Sequence, residues 1–296
     1  MSTSKRITPA NFKLYGVFGF PLKHTLSPAM HQAALEKLRV PGFYMALELA
    51  PKNFKKLMVQ RNLLLDGFNL TVPHKQIVIP FLDSVSREAK LIGAVNTVIR
   101  KNGRLLGENT DAYGFMKLLR AELGWKSKGK TVLILGAGGA SRACIYALCA
   151  DGAKEIIVLN RTVAKARTLV SVFKRQFPRV RFQARALVSR EVRNALLEAG
   201  LVVNTTSVGL KPSDNPVVKK GDFPRAKGNR FAVDLIYNPP QTPFLRLARS
   251  AGWKTANGLG MLLHQGARAF ELWTGKKAPV EVMKRALVVA TSVAKK

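Results

Sequence analysis

The chain has 296 residues, of which 47% are hydrophobic, and its 49 lysine and arginine residues against 17 aspartate and glutamate residues give a formal net charge of +32. This length suffices for two domains with sizeable cores, and no apolar run is long enough to cross a bilayer. Residues 1–11 carry no signal-peptide pattern, and Cys144 and Cys149 suit neither a disulfide framework nor a zinc site, so we expect a cytoplasmic protein.

In the first third of the chain, segments with the pattern of strands alternate with segments with the pattern of helices. Predicted strands lie at residues 15–19, 43–49 and 67–71, and predicted helices at residues 29–38, 52–63 and 75–82. This alternation is typical of a parallel sheet covered by helices. Two further strands, at 94–100 and 104–107, flank Asn102-Gly103, a dipeptide favoured in two-residue hairpins, so an antiparallel pair is expected to close the sheet.

A second alternating series follows a helix predicted from Thr110 or Asp111 to residue 123, which Gly124 ends. Its predicted strands lie at residues 131–135, 156–159, 180–183, 201–204, 231–235 and 253–255. Two helices, at 259–273 and 280–293, finish the chain, and we expect them to pack against the first domain. The fold class is therefore α/β with two domains, of which the first has a mostly parallel sheet.

The segment Gly136-Ala137-Gly138-Gly139-Ala140-Ser141 lies directly between an apolar strand and a predicted helix. A dinucleotide-binding Rossmann fold places its phosphate turn at this position. Gly136 permits the tight turn, Gly138 lets the backbone approach a pyrophosphate, and Ser141 supplies a small residue where the helix packs on the strand. The helix then offers N–H groups and the positive end of its dipole to the phosphates. The alternative is a purely structural glycine turn.

The end of the next strand indicates which dinucleotide is preferred. A carboxylate is expected there if a ribose 2′-hydroxyl is bound, but the sequence has Asn160-Arg161-Thr162, with Lys165 one turn later. Arg161 can hold a 2′-phosphate in charge-assisted hydrogen bonds, and Lys165 adds a second cation. We therefore predict NADP as the cofactor. The alternative is that both are ordinary surface cations on a very basic protein.

Polar residues recur at the predicted strand ends of the first domain, where ligands of open α/β sheets collect. The segments are His24-Thr25-Leu26-Ser27-Pro28, Asn69-Leu70-Thr71-Val72-Pro73-His74-Lys75, Gly93-Ala94-Val95-Asn96-Thr97 and Asn109-Thr110-Asp111. With Asp234-Leu235-Ile236-Tyr237-Asn238-Pro239 and the segment Gly258-Leu259-Gly260-Met261-Leu262-Leu263-His264-Gln265-Gly266, the sequence resembles the shikimate dehydrogenases over nearly its whole length.

This resemblance implies reversible NADPH-dependent reduction of 3-dehydroshikimate to shikimate, a step in making aromatic amino acids. It also implies that residues 1–110 and 263–296 form the substrate-binding catalytic domain. Residues 111–262 would form the NADP-binding Rossmann domain, and the active site would lie in the cleft between the two. The oligomeric state expected is a monomer or a homodimer.

The resemblance also assigns residues to roles. Lys75 and Asp111 would be the catalytic pair. The substrate carboxylate and hydroxyls would be held by Thr25, Ser27, Thr71, Asn96, Tyr237 and Gln265. The nicotinamide end of the cofactor would be lined by Leu235, Gly258 and Met261.

The expected chemistry fits these residue types. Hydride addition to a ketone develops negative charge on oxygen, which an ammonium such as that of Lys75 can stabilise and protonate. Asp111 would keep Lys75 charged and oriented, and could accept a substrate hydroxyl. Without the resemblance, Lys75 would be read as a surface lysine and Asp111 as a helix cap.

Three alternatives stay open at this point. Thr25 stands where the family most often has serine, and its added methyl narrows the pocket, which leaves activity on quinate undecided. A quinate/shikimate dehydrogenase that uses NAD is the alternative enzyme, although it would normally have a carboxylate near Asn160. The cations concentrated between Arg161 and Arg193 suggest nucleic-acid binding, but no stacking aromatic residues or known motif accompany them, so no specific nucleic-acid partner is expected. His24, His31, His74 and His264 are scattered without partners at ligand spacing, so no metal site is predicted.

Overall fold

The computed structural model describes residues 12–22, 25–61, 63–210, 214 and 216–293. Its backbone contacts divide the chain into two compact units. The first unit contains the residues up to Thr110 together with those from Leu263 onward, and the second unit is Asp111–Leu262.

Twelve strands form two six-stranded sheets within the described part of the chain. They are β1 (Lys13–Gly19), β2 (Gly42–Glu48), β3 (Gly67–Leu70), β4 (Ser84–Val85), β5 (Thr97–Lys101), β6 (Arg104–Glu108), β7 (Thr131–Leu135), β8 (Glu155–Asn160), β9 (Arg181–Ala186), β10 (Leu201–Asn204), β11 (Phe231–Asp234) and β12 (Lys254–Asn257).

Eleven α-helices surround these sheets in the same described residues. They are α1 (Ser27–Lys37), α2 (Pro51–Gln60), α3 (His74–Ile77), α4 (Arg87–Ile92), α5 (Asp111–Leu123), α6 (Gly139–Ala150), α7 (Val163–Gln176), α8 (Ser189–Glu198), α9 (Pro243–Ser250), α10 (Leu259–Thr274) and α11 (Val280–Val293).

The sheet of the first unit has the strand order β2-β1-β3-β5-β6-β4. Strand β1 runs parallel to β2 and β3, and β4 runs parallel to β6. Strand β5 is antiparallel to β3 and β6, and the turn between β5 and β6 has positive φ at both Asn102 and Gly103. The predicted hairpin is therefore confirmed, because positive φ at both central residues is what a type I′ turn requires.

One predicted helix of this unit is wrong. Residues 75–82 do not form a continuous helix: α3 ends at Ile77, and a short 3₁₀ turn follows at Ile79–Phe81. Pro80 accounts for the break, since it lacks an N–H group and its ring clashes with the carbonyl four residues earlier. Strand β4 and helix α4 were not predicted, although Ser86 caps α4 by accepting from the Ala89 N–H group at 3.2 Å.

The last helices belong to the first unit's core, as predicted. Helix α11 packs against α1. Near the end of α10, Trp273 stacks on Tyr15 of β1 with 5.0 Å between ring centroids, and its indole nitrogen donates to the Val98 carbonyl at 2.9 Å. A side chain at residue 67 would collide with the Trp273 ring, so β3 can lie this close to α10 only because Gly67 has no side chain.

The sheet of the second unit is parallel throughout, with the order β12-β11-β10-β7-β8-β9. Four central strands are almost entirely buried, which explains their continuous apolar sequences. Because all six strands run the same way, their carboxyl ends lie along one edge of the sheet. This two-domain α/β architecture, with a Rossmann-type second sheet, confirms the predicted fold class.

Candidate active site

Residues 71–75 of the first unit, which lead into α3, are held by main-chain hydrogen bonds on both sides. The Thr71 N–H group donates to the Phe18 carbonyl at 2.9 Å, which fixes the start of this segment against β1. At its end, the Lys75 carbonyl accepts from the Val95 N–H group at 2.8 Å. The half-buried Lys75 is thereby attached to the residue that precedes Asn96.

His74, beside Lys75, has a structural role. Its ring stacks on Phe54 with 4.2 Å between centroids, and its Nε2 atom lies 2.8 Å from the Leu49 carbonyl. A carbonyl only accepts, so Nε2 carries the proton. Burial lowers the pKa of His74, which keeps the ring neutral.

Asn96 and Gln265 are brought together although they are far apart in sequence. Both are buried, and Asn96 Nδ2 lies 3.2 Å from Gln265 Oε1 and 2.9 Å from Thr110 Oγ1. Asn96 Oδ1 accepts from the Thr110 N–H group at 2.7 Å. These contacts join β5, α10 and the segment after β6 at one point of the first unit.

Thr25 and Ser27 precede and begin α1. The Thr25 hydroxyl accepts from the Ser27 N–H group at 3.3 Å, so the two residues are held in a local turn. Ser27 is buried and its hydroxyl hydrogen-bonds the phenol of Tyr44, whereas Thr25 is half-buried. His24, the first residue of this predicted motif, lies outside the described residues.

Asp111 is the first residue of α5 and of the second unit, and only 5% of its surface is exposed. It follows Thr110, whose main-chain N–H group donates to the side-chain oxygen of Asn96. The sheet of the second unit then carries the remaining predicted residues along its carboxyl edge.

The glycine turn follows β7 as predicted. Gly136 has φ of +108°, and a side chain there would meet the Thr205 hydroxyl at 2.7 Å, so the turn requires glycine. Ideal Cβ atoms at Gly138 and Gly139 would meet nothing within 4 Å. The first turn of α6 therefore faces open space. Its N-cap residue, Gly138, has no side chain that could accept a hydrogen bond from the N–H groups of this turn. A pyrophosphate fits this geometry.

The end of β8 carries cations and no carboxylate. Arg161 and Lys165 are exposed, and neither forms an ion pair with any of the described acidic residues. Asn160 Nδ2 donates to the Thr162 carbonyl at 2.9 Å, which shapes the turn into α7. This donor set suits the 2′-phosphate of NADP.

The three residues predicted to line the nicotinamide end lie after β11 and β12. A side chain at Gly258 would collide with the Leu235 carbonyl, so these two backbones touch. Met261 is buried one turn later. Tyr237 is half-buried, and burial raises its pKa, which keeps the phenol protonated.

The loop that carries Leu235 and Tyr237 depends on a buried carboxylate whose role the sequence analysis did not predict. Asp234 accepts from the Thr242 hydroxyl at 2.6 Å, from Asn204 Nδ2 at 3.1 Å and from the Ile236 N–H group at 3.1 Å. Burial raises the pKa of Asp234 to about 6, against the lowering effect of its hydrogen bonds. The sequence carried one signal for this role: Asp234 is the last residue of β11 and the only charged residue in that otherwise apolar strand.

Among the described residues, no three histidine, cysteine, aspartate or glutamate side chains are grouped as a metal site would need. In the same residues, no helix combines the length and the apolar character of a membrane span.

Family models match three successive parts of the chain. The shikimate dehydrogenase substrate binding domain matches residues 17–98, shikimate / quinate 5-dehydrogenase matches residues 117–241, and the shikimate 5'-dehydrogenase C-terminal domain matches residues 258–288.

Known proteins are similar to this chain over nearly its full length. The shikimate dehydrogenase (NADP(+)) of Carboxydothermus hydrogenoformans is 44% identical over 278 residues, which are 93% of this chain and 96% of that protein. The crystal structure of shikimate 5-dehydrogenase from Thermus thermophilus in complex with NADP(H) and shikimate has 41% identity and a TM-score of 0.81, covering 94% of this chain and 99% of its own. Quinate dehydrogenase from Corynebacterium glutamicum, in complex with NAD, has 29% identity and a TM-score of 0.84, covering 94% and 100%. The chain therefore belongs to the shikimate dehydrogenase family.

Proposed function

We propose that this protein catalyses the reversible NADPH-dependent reduction of 3-dehydroshikimate to shikimate, in the biosynthesis of chorismate and the aromatic amino acids. The observation that carries the proposal is the position of Lys75 in the first unit. Its main chain is bonded to Val95, next to the buried Asn96 and Gln265 amides. The main chain of Lys75 is thus attached next to amide groups suited to substrate hydroxyls, which supports the role of its ammonium as proton donor in a chain of this family.

Lys75 acts as the general acid in the direction of reduction. NADPH, when bound, supplies the hydride that adds to the carbonyl carbon of the substrate. As negative charge develops on the carbonyl oxygen, the Lys75 ammonium stabilises it and transfers a proton to it, which forms the hydroxyl. In the oxidation of shikimate the Lys75 amine accepts that proton. Asp111 is the proposed partner of Lys75 and keeps it charged and oriented.

Substrate binding is assigned to polar residues whose chemistry matches a polyhydroxylated acid. Thr25 and Ser27 supply hydroxyl groups for the carboxylate, and Thr71, Asn96 and Gln265 supply hydroxyl and amide groups for the substrate hydroxyls. Tyr237, kept protonated by the burial of its ring, adds a phenol donor. In this assignment the first unit is the substrate-binding catalytic domain.

NADP is assigned to the second unit. The open glycine turn, residues 136–140, receives the pyrophosphate, and Asn160, Arg161, Thr162 and Lys165 receive the adenosine 2′-phosphate. Leu235, Gly258 and Met261 line the nicotinamide end. We further propose that the reaction takes place in the cytoplasm.

The decisive experiment records absorbance of the reduced nicotinamide with shikimate and NADP. We expect rapid reduction of NADP with shikimate and much slower reduction when NAD replaces NADP. The same assay with quinate tests the second candidate function, a quinate/shikimate dehydrogenase, which the similarity to a quinate dehydrogenase favours. No reduction with shikimate and either cofactor would refute the proposal.

A further inference from the structure

We infer that Thr97 is a positioning residue for the substrate site: with Asn69 and Tyr44 behind it, it holds in place the Asn96 amide that meets Gln265. The inference rests on the proposed function. It assigns a role to three buried residues of the first unit that are not themselves placed against the substrate.

These residues form a chain of hydrogen bonds inside the first unit. The Tyr44 hydroxyl donates to Asn69 Oδ1 at 2.8 Å, and Asn69 Nδ2 donates to Thr97 Oγ1 at 3.1 Å. Thr97 Oγ1 donates to Asn96 Oδ1 at 3.1 Å, and Asn96 Nδ2 donates to Gln265 Oε1 at 3.2 Å. Each of the five residues has at most 8% of its surface exposed, so water competes little for these bonds.

Two main-chain groups determine the direction of this chain, because a carbonyl only accepts and an N–H group only donates. The Asn96 carbonyl accepts from Asn69 Nδ2 at 3.2 Å, so Asn69 presents its oxygen to Tyr44. The Thr110 N–H group donates to Asn96 Oδ1 at 2.7 Å, so Asn96 presents its amide nitrogen to Gln265. Gln265 must then accept with its oxygen, which makes Nε2 the opposite end of its amide.

Thr97 is the link that joins the two anchored amides. It is fully buried, stands opposite Asn69 in the pairing of β3 with β5, and its hydroxyl accepts from Asn69 while it donates to Asn96. The Thr110 hydroxyl, 3.2 Å away, completes its surroundings. A hydroxyl at this position is needed because only a group that both accepts and donates can connect an amide nitrogen to an amide oxygen.

The outer end of the chain is held in place by ring stacking. His31 lies flat against Tyr44, with 4.3 Å between centroids and 7° between planes. Burial lowers the pKa of His31 to about 3, so the ring is neutral and adds no charge beside the phenol. Tyr44 can then direct its only proton to Asn69. Along such a chain each hydrogen bond polarises the next, so loss of one link weakens the others.

A functional consequence follows for the ligand. If Gln265 presents Nε2, it selects a ligand oxygen that accepts a hydrogen bond, such as a hydroxyl oxygen whose own proton is given elsewhere. Removing the Thr97 hydroxyl leaves Asn96 Oδ1 with one donor fewer and Asn69 Nδ2 with one acceptor fewer. The Asn96 amide keeps the direction set by the Thr110 N–H group, but it is held less tightly against Gln265, which weakens substrate binding.

The test compares Thr97→Val, which replaces the hydroxyl by a methyl of similar size, with Thr97→Ser, which restores it. Thr291→Val is the matched control, since Thr291 is a buried threonine of the same unit whose hydroxyl donates to the Leu287 carbonyl of its own helix. We expect Thr97→Val to raise the KM for shikimate about 10-fold, the effect of one or two buried hydrogen bonds. The KM for NADP should stay within about two-fold of wild type. Thr97→Ser and Thr291→Val should leave both constants close to wild type.

A second pair of variants keeps the inference falsifiable if Thr97→Val does not fold. Thr97→Ala removes the same hydroxyl with a smaller side chain, and Thr291→Ala makes the same change at the control position. We expect Thr97→Ala to raise the KM for shikimate at least about three-fold, and Thr291→Ala to leave it unchanged.

The outcomes separate the two proposals. Wild-type protein that does not oxidise shikimate overturns the proposed function and this inference with it. Active wild type, with Thr97→Val equal to Thr291→Val or with the KM values for shikimate and NADP raised equally, overturns the inference alone. Equal effects of Thr97→Ala and Thr291→Ala would also overturn it.

Discussion

The two units build their proposed sites by opposite means. In the first unit, the Asn96–Gln265 site consists of buried side chains whose hydrogen bonds have fixed directions. In the second unit, the glycine turn offers main-chain N–H groups to open space, and the cations beside it are exposed. Binding at the first site therefore depends on which atom of each side chain donates and which accepts a hydrogen bond. The second depends on backbone shape and on charge, which salt can screen.

The largest effect should come from the chemical step in the first unit. Lys75→Ala removes the proposed proton donor and should lower kcat by roughly 10² to 10⁴, with a smaller change in the KM for shikimate. Steady-state kinetics with NADP measures both constants. Lys55→Ala, at an exposed position on α2, is the control and should retain full activity. Near-normal turnover of Lys75→Ala would remove Lys75 from this role.

In the second unit the expected effect comes from the positive charge of Arg161, which contributes to cofactor binding and not to proton transfer. Arg161→Ala should raise the KM for NADP by about 10- to 100-fold, since a charge-assisted contact to the 2′-phosphate is lost, and should leave the KM for NAD nearly unchanged. Arg167→Ala, which removes another exposed arginine close by on α7, serves as the control. Equal changes for the two dinucleotides would contradict a 2′-phosphate contact.

Asp234 lies in the second unit, but it is buried and hydrogen-bonded in the same way as the site residues of the first unit. Its pKa is raised to about 6 by burial, above the value near 4 of an unfolded chain, so the folded state binds more protons between these values. Its contribution to stability is therefore fully present below about pH 4 and is lost as the pH rises through about 6.

Asp234→Asn should abolish this part of the pH dependence. The free energy of unfolding, from urea titrations at pH 4.5 and pH 7, should fall less with rising pH in the variant than in wild type, by at most about 3 kcal/mol. Parallel pH dependences in the two proteins would show that Asp234 is not the group responsible.

The smallest effect should be that of salt. Shikimate and NADP are anions, and a net charge of +32 should speed their association with the protein. We expect kcat/KM for both to fall several-fold between about 0.01 and 0.2 M KCl, because the Debye length shortens from about 30 Å to below 10 Å. Values independent of ionic strength would show that the surplus charge does not attract these ligands.

Most of the framework could be predicted from the sequence because its signals are local. The apolar strand before Gly136 and the paired turn residues Asn102 and Gly103 each specify their own conformation. The predicted helix over residues 75–82 is wrong because Pro80, whose missing N–H group ends the helix, outweighs the helical spacing of the apolar residues around it.

The supporting residues of the site could not be predicted in the same way. Tyr44 lies within an apolar strand and has the pattern of a core residue, and nothing local indicates that its hydroxyl meets Asn69, 25 positions away. The Asn96–Gln265 contact spans 169 positions. The resemblance to a family implied roles for Asn96 and Gln265 but none for Tyr44, and the directions of their hydrogen bonds follow only from the folded structure.

Strand β9 lies at the edge of the second sheet, where the basic composition of the chain affects contacts with other molecules. An edge strand has main-chain groups that can pair with a strand of another molecule. Two of its six residues are Arg181 and Arg185, and Arg181 has 64% of its side chain exposed. Both cations are ion-paired, Arg181 with Glu155 and Arg185 with Glu198, so repulsion between two copies comes mainly from the net charge of +32 of the whole chain. The surplus of cations that raises the isoelectric point to about 10.8 therefore disfavours pairing of two copies through this edge.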